Sequence, residues 1–179
     1  LVYAAVLRRP RPRVAARPLC GAVGGPRVDG HSAASSLLRC RFEMDRGANL
    51  RPARLFDPRL SPLRDEKLRE LDLLVVRENT EGIYIGAGGR FKRGTPDEVA
   101  IQEDVNTYKG VNRILEHAFT RARREVCMVD KSNAMGFAGG LWQSRWKEIA
   151  PAHPEVVTRH LYSDAFSTAL VRDPSPFDG

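Results

Sequence analysis

The 179-residue sequence has few cysteines, no long apolar run and little excess charge beyond its first 28 residues. Its three cysteines, Cys20, Cys40 and Cys127, lie far apart and form no CxxC pair. This spacing argues against a disulfide scaffold and against a structural zinc site, and it favours a reducing compartment, with the cytoplasm as the predicted location. No stretch approaches the roughly 20 apolar residues of a membrane-spanning helix, which excludes such a helix.

The excess of positive charge is confined to the start of the chain. Of the 29 Lys and Arg residues, six lie within residues 1–28, where there is no acid, which leaves 23 basic against 22 acidic residues in the rest. A nucleic-acid-binding domain more often spreads its basic residues through the folded body, so the net charge of +7 gives that function little support. The three prolines between positions 10 and 18 exclude a continuous helix there. We therefore expect residues 1–20 to be a disordered or ragged start, in preference to a targeting peptide.

The rest of the chain alternates short apolar runs with segments of helical spacing. Residues 71–76 and 126–129 are typical of strands buried on both faces, and residues 107–122 are typical of an amphipathic helix. Further segments are expected as helices over 36–49, 141–150 and 165–171 and as a strand over 156–162. Strands that alternate with helices predict an α/β fold.

Charged residues follow both buried-strand segments. Arg77 and Lys131 come directly after them, and ligands in α/β sheets bind outside the carboxyl ends of the strands. Arg41 and Arg51 add two cations, although surface positions are the alternative that their spacing alone favours. Together these side chains suit a small substrate with two carboxylates, because arginine binds a carboxylate through two parallel N–H bonds.

Two further candidates each have a structural alternative. Tyr84 could donate a proton or simply pack. Asp164 could bind Mg²⁺ or Mn²⁺ through its oxygens, or it could cap the following helix. The glycine-rich residues 21–26 lack the spacing of a dinucleotide-binding motif, and the four histidines have no ligand spacing. By themselves, the residues indicate an α/β protein with a cationic site for a small anion.

Several motifs, in order along the chain, resemble the β-decarboxylating dehydrogenase family, which includes isocitrate, isopropylmalate, homoisocitrate and tartrate/D-malate dehydrogenases. The motifs are VVRENTEGIYIG (75–86), MVDKSNAM (128–135) and HLYSDA (160–165), with GAVGGP (21–26), LLRCRFEMD (37–45), ANLRPARLF (48–56), LSPLRDE (60–66) and RGTPDEVA (93–100). The resemblance implies the isopropylmalate-dehydrogenase-like two-domain fold. Residues 21–47 would be a piece of the first, cofactor-binding domain, and residues 48–179 the second domain, with the substrate site and a dimer arm.

The resemblance also implies metal- and NAD-dependent oxidative decarboxylation of a 2-hydroxy diacid. Arg41, Arg51 and Arg77 would bind the two carboxylates, Lys131 would accept the hydroxyl proton and Tyr84 would protonate the enolate carbon. The motifs look most like those of 3-isopropylmalate dehydrogenase in leucine biosynthesis. Tartrate or D-malate is the alternative substrate, because residues 30–36 depart from the isopropylmalate pattern. A non-catalytic dimerisation or binding subunit is the alternative from another class.

Cofactor and partner contacts follow from the same resemblance. Gly24, Gly25 and Asn133 would line the NAD site, and Asp164 would ligate Mg²⁺ or Mn²⁺ and face the substrate. The active unit would be a homodimer in which the lysine and this aspartate serve the partner's site, with residues 84–105 as an intersubunit arm and no nucleic-acid or membrane partner. The family's GDGIGPE and NxFGDIxSD segments do not occur here. The 179-residue chain alone is therefore expected to be inactive.

Overall fold

The computed structural model describes residues 4–8, 45, 47–60, 72–122 and 124–177. The strands are β1 (Ala4–Arg8), β2 (Ala48–Arg54), β3 (Asp72–Glu78), β4 (Gly88–Phe91), β5 (Val99–Gln102), β6 (Glu125–Asp130) and β7 (Val157–Tyr162). The helices are α1 (Tyr108–Arg121), α2 (Gly136–Ile149) and α3 (Ser163–Arg172). None of these helices is both long enough and apolar enough to cross a membrane.

Five strands form one mixed sheet in the order β2-β3-β1-β6-β7, and β4 and β5 form a separate antiparallel hairpin. β1 is antiparallel to both β3 and β6, so those two strands run in the same direction and end at the same edge. β7 is parallel to β6, and β2 is antiparallel to β3. Pro52 fits within β2 because an edge strand has a row of backbone groups without ladder partners.

One face of the sheet packs against α1 and α2. The buried core on this side consists of Ala5, Leu7, Leu74, Val76, Val126 and Met128 from the sheet, and Val111, Ile114, Leu115, Ala118, Phe119, Trp142, Trp146 and Ile149 from the helices. The apolar stripe of α1 explains why a helix forms there, since one side of it enters this core. Thr107 caps the helix by accepting a hydrogen bond from the Gly110 N–H. The helix predicted over residues 107–122 is thus confirmed.

The opposite face is covered by α3 and the short 3₁₀ helix Ser175–Phe177. Its buried residues are Val6, Leu73, Cys127, Val129, Phe166 and Phe177. Every residue of β6 is buried, as expected for a strand that is covered on both faces. The strands predicted at residues 71–76 and 126–129 correspond to β3 and β6, and the predicted α/β fold is confirmed.

Two expectations about the first third of the chain are wrong. Residues 4–8 were expected to be disordered, but they form the central strand, because an apolar run there fits between β3 and β6 with Ala5, Val6 and Leu7 buried. The helix expected over residues 36–49 does not include Ala48 and Asn49, which belong to β2. The rest of residues 1–20, and all of 21–47 except Asp45 and Gly47, lies outside the described part, so the domain boundaries stay a prediction.

Cys127 allows a chemical test of the buried strand β6. Its side chain is only 1% exposed, and burial, together with the nearby Glu125 carboxylate, raises the pKa of the thiol to about 12. In the unfolded chain the thiol has its ordinary pKa of 9.0. Because the thiol ionises at lower pH in the unfolded chain than in the folded protein, the free energy of unfolding falls as the pH rises from about 9 towards 12. Below that range the buried thiol does not reduce the free energy of unfolding.

We therefore expect iodoacetamide to label Cys127 at least roughly 100-fold more slowly in the folded protein than in urea at pH 8. The rate is measured on the Cys127 peptide by mass spectrometry, so Cys20 and Cys40 do not interfere. Similar labelling rates in the folded and unfolded states would show that β6 is not buried on both faces.

Candidate functional site

The carboxyl ends of β3 and β6 stand level at one edge of the sheet. Ala4 of β1 pairs with Arg77 on one side and with Val129 on the other. Strand spacing places these two partners about 10 Å apart across β1. Lys131 follows β6 directly, so Arg77 and Lys131 come to the same edge, where ligands of α/β sheets bind.

Two arginines lie together at this edge. In the register of β2 and β3, Arg77 is opposite Asn49 and Arg51 is opposite Val75. Arg51 and Arg77 are therefore diagonal neighbours on one face of the sheet, with their Cα atoms roughly 7–8 Å apart. Neither guanidinium is paired with an acidic side chain among the residues that the structure describes. The Arg51 guanidinium donates a hydrogen bond to the side-chain oxygen Oδ1 of Asn49 at 3.3 Å. A bound dianion would relieve the repulsion between these two charges.

Tyr84 packs against the second of these arginines. The Arg77 guanidinium carbon lies 4.5 Å from the centre of the Tyr84 ring, which is a cation–π contact. Tyr84 belongs to the 3₁₀ helix Ile83–Ile85, and its side chain is 39% exposed. Gly82 and Gly86 flank this turn with φ angles of 80° and 75°, which other residues rarely adopt. The turn thus places a phenol beside a cation and within reach of solvent.

Lys131 and Asp164 form an ion pair at the same edge. The lysine side chain is 26% exposed and the aspartate side chain 71%. Asp164 lies in the first turn of α3, where the helix dipole stabilises a negative charge, whereas Tyr162 occupies the N-cap position. The alternative in which Asp164 caps the helix is therefore wrong.

The described residues supply only part of a metal site. They contain no group of three or more His, Cys, Asp or Glu side chains that could hold an ion. Asp164 offers one exposed carboxylate, so an Mg²⁺ or Mn²⁺ ion would need further oxygen ligands. Asn133 is exposed in the turn after β6, where a cofactor could reach it. Three other predicted site residues lie outside the described part of the chain: Gly24, Gly25 and Arg41.

A row of amide side chains behind Arg51 was not predicted from the sequence. The side-chain nitrogen Nδ2 of Asn49 donates to the side-chain oxygen Oδ1 of Asn79 at 3.2 Å, while the Oδ1 of Asn49 accepts from Arg51. Asn79 is itself buried, and its backbone N–H donates to the Gly47 carbonyl at 3.0 Å. This row fixes the direction of the Arg51 side chain. The asparagines of the NLRP and RENT motifs were the available signal.

A buried carboxylate behind Lys131 was also missed. Asp130 is fully buried and accepts hydrogen bonds from the Ser132 backbone N–H at 3.2 Å and the Ser132 hydroxyl at 3.1 Å. Gln143 Nε2 of α2 donates to its other oxygen at 2.7 Å, and His160 Nε2 of β7 lies 2.9 Å from the first. Asp130 of β6 thus connects this strand by hydrogen bonds to α2 and β7, at the position directly before Lys131.

Comparison with known proteins supports the resemblance. A relative named 3-isopropylmalate dehydrogenase from Frankia casuarinae is 46% identical over 165 residues, which cover 89% of this chain and 48% of that protein. A second protein of that name, from Mycobacterium tuberculosis, is 44% identical over 164 residues, with 89% and 48% covered. The chain spans about half the length of the curated relatives that it matches.

The fold and the family agree. The crystal structure of an isocitrate dehydrogenase from Methylococcus capsulatus has a TM-score of 0.67 and 29% identity to this chain, with 90% of this chain and 45% of that one covered. The family model described as isocitrate/isopropylmalate dehydrogenase matches residues 13–178. This match includes β2, β3, β6 and the start of α3, which carry the candidate site. The chain therefore belongs to the isocitrate/isopropylmalate dehydrogenase family.

Proposed function

We propose that this chain carries the substrate site of an enzyme that oxidatively decarboxylates a 2-hydroxy diacid, and that the diacid is 3-isopropylmalate in leucine biosynthesis. The observation that carries the proposal is the placement of Arg51 and Arg77 as diagonal neighbours in the sheet, with the Arg77 guanidinium against the phenol ring of Tyr84. Two arginines at neighbouring positions on one face of the sheet suit two carboxylates on adjacent carbons. The names of the relatives support 3-isopropylmalate as the diacid.

Each described residue has a chemical task in this proposal. Arg51 and Arg77 bind and orient the carboxylates, and Arg41 is expected to join them. Lys131, in its neutral amine form, accepts the proton of the C2 hydroxyl at Nζ, and the Tyr84 hydroxyl donates a proton to the carbon that has lost CO₂. When bound, NAD would accept the hydride from C2, and Mg²⁺ or Mn²⁺, with Asp164 as one ligand, would polarise the C2 oxygen.

We also propose that the active unit is a cytoplasmic homodimer with a shared site. Membership of the isocitrate/isopropylmalate dehydrogenase family supports a dimer. The β4–β5 hairpin is exposed along both strands, with Phe91, Val99 and Ile101 among its exposed side chains. Exposed apolar side chains on a projecting hairpin favour its packing against a partner.

Binding calorimetry tests the choice of substrate. The 179-residue protein with Mg²⁺ is titrated with 3-isopropylmalate, D-malate, tartrate and isocitrate. We expect 3-isopropylmalate to bind tightest, by roughly 10-fold or more over D-malate, because burial of its isopropyl group adds about 1.5–3 kcal/mol. Tighter binding of D-malate or tartrate would overturn 3-isopropylmalate as the substrate and leave oxidative decarboxylation of a 2-hydroxy diacid as the proposed reaction.

The same protein is expected to form no NADH from NAD⁺, Mg²⁺ and 3-isopropylmalate. Within the part of the chain that the structure describes, no group of three or more His, Cys, Asp or Glu side chains could hold an ion, so Asp164 has no complete ligand set there for the catalytic cation. The assay follows absorbance at 340 nm, with a full-length relative as the positive control. Steady NADH formation by the 179-residue chain would contradict this expectation.

A further inference from the structure

Two glycines, Gly110 in α1 and Gly47 directly before β2, leave space that charged side chains fill. A Cβ at Gly110 would lie 2.3 Å from the Glu81 Oε2, and a Cβ at Gly47 would lie 2.3 Å from the Arg113 Cζ. Both glycines are buried, and Cβ atoms do not approach other atoms this closely. Alanine at either position would therefore force the charged side chain to move.

Glu81 fastens the segment before Tyr84 to the start of α1. Its Oε2 accepts a hydrogen bond from the Thr107 backbone N–H at 2.8 Å, and its Oε1 accepts one from the Thr107 hydroxyl. The Thr107 hydroxyl oxygen in turn accepts from the Gly110 N–H at 3.0 Å. The carboxylate also lies where the dipole of α1 stabilises negative charge.

Arg113 of α1 binds the same segment through Glu78 and Thr80, which precede Glu81. Its guanidinium donates to the Thr80 hydroxyl at 2.8 Å and lies 3.5 Å from the Glu78 carboxylate. Glu78 is buried and also accepts from the backbone N–H groups of Thr80 and Glu81, at 2.8 and 2.7 Å. Arg113 thereby compensates a charge that would be costly to bury alone.

We propose that Glu81 and Arg113 are positioning residues that hold Tyr84 over Arg77. This inference rests on the proposed function of those two residues. Gly82 and Gly86, with positive φ on either side of the Tyr84 turn, permit backbone conformations that other residues resist. The turn needs an anchor if its phenol is to keep one position. Links from residues 78, 80 and 81 to α1 supply that anchor immediately before the turn.

The substitution Gly110→Ala tests this inference, with Gly140→Ala as the matched control. Both glycines lie in helices, and alanine improves helix propensity at either by about 1 kcal/mol. A Cβ at Gly140 meets nothing within 4 Å, whereas one at Gly110 displaces Glu81. The protein is labelled with 3-fluorotyrosine, and the ¹⁹F resonance of Tyr84 is assigned with Tyr84→Phe.

We expect the Tyr84 resonance to shift or broaden in Gly110→Ala and to stay in place in Gly140→Ala, while the Tyr162 resonance is unchanged in both. We also expect affinity for 3-isopropylmalate to fall roughly 10-fold in Gly110→Ala only. An unchanged Tyr84 resonance in folded Gly110→Ala would overturn the inference.

A second pair of variants decides the matter if Gly110→Ala does not fold. Glu81→Ala removes both bonds to Thr107, whereas Glu81→Gln keeps an oxygen that accepts from the Thr107 N–H. We expect Glu81→Ala to move the Tyr84 resonance and Glu81→Gln to leave it close to that of the unmodified protein. Equal behaviour of the two variants would contradict a positioning role. Because the ¹⁹F signal needs no substrate, absence of diacid binding by the unmodified protein would count against the proposed function alone.

Discussion

Replacement of Arg77 by methionine is expected to weaken the binding of 3-isopropylmalate by roughly 30- to 100-fold. A hydrogen bond between charged groups contributes about 1.5–3 kcal/mol, and 1.4 kcal/mol corresponds to a factor of ten in affinity. Methionine has no positive charge, so the cation–π contact with Tyr84 is lost. Its side chain is as long as the apolar stem of arginine, so much of the packing stays. The dissociation constant is measured by calorimetry on folded protein.

Arg54→Met is the matched control for this substitution. Arg54 is exposed and lies on β2, whereas Arg77 is half-buried, and Arg54 pairs in register with Asp72 at the opposite end of β3 from Arg77. Its guanidinium faces Phe56 at 5.9 Å and belongs to no part of the candidate site. We expect Arg54→Met to bind the diacid as the unmodified protein does. Equal losses in both variants would mean that overall charge, and not the Arg51–Arg77 pair, determines binding.

Substitution of Asp130 by alanine is expected to lower the free energy of unfolding by roughly 3 kcal/mol. The carboxylate is fully buried, and its removal leaves the donors of Ser132 and Gln143, and the ring of His160, without their partner. Each buried donor without a partner costs about 1–3 kcal/mol, and part of that cost is recovered where water enters. Urea denaturation followed by the fluorescence of the two buried tryptophans measures the change.

Asp164→Ala provides the comparison. Its carboxylate is 71% exposed, so loss of the ion pair with Lys131 should change the stability by less than about 1 kcal/mol. The two aspartates lie at the same edge of the sheet, one as a buried structural anchor and the other as an exposed site group. If Asp130→Ala were as stable as Asp164→Ala, the convergence of β6, α2 and β7 on Asp130 would not stabilise the fold.

Much of the fold could be predicted because burial leaves a local pattern. β3 and β6 are continuous apolar runs, and α1 has an apolar stripe at helical spacing, so each can be recognised without its neighbours. Arg77 and Lys131 could be predicted as site candidates for the same reason, because Arg77 lies near the carboxyl end of β3 and Lys131 directly follows β6, which places both at the sheet edge. The family motifs then supplied roles for Tyr84 and Asp164, which composition alone did not.

The remaining features depend on contacts between distant parts of the chain. β1 is only five residues long and is followed by an arginine- and proline-rich stretch, so its composition hides its central place between β3 and β6. β2 is an edge strand with mostly exposed residues and shows no apolar run. The bonds of Asp130 to Gln143 and His160 join residues 13 and 30 positions away, a spacing that matches no sequence motif.

The central claim is that Arg51 and Arg77, at the sheet edge that also carries Lys131, bind a 2-hydroxy diacid through its two carboxylates. Its most direct test is calorimetry of the unmodified protein with 3-isopropylmalate and with 2-hydroxy-4-methylpentanoate, which has the same skeleton without the second carboxylate. We expect the diacid to bind at least roughly 30-fold more tightly, since one charged pair is lost with the monoacid. Equal affinities for the two acids, or no binding of the diacid by folded protein, would contradict it.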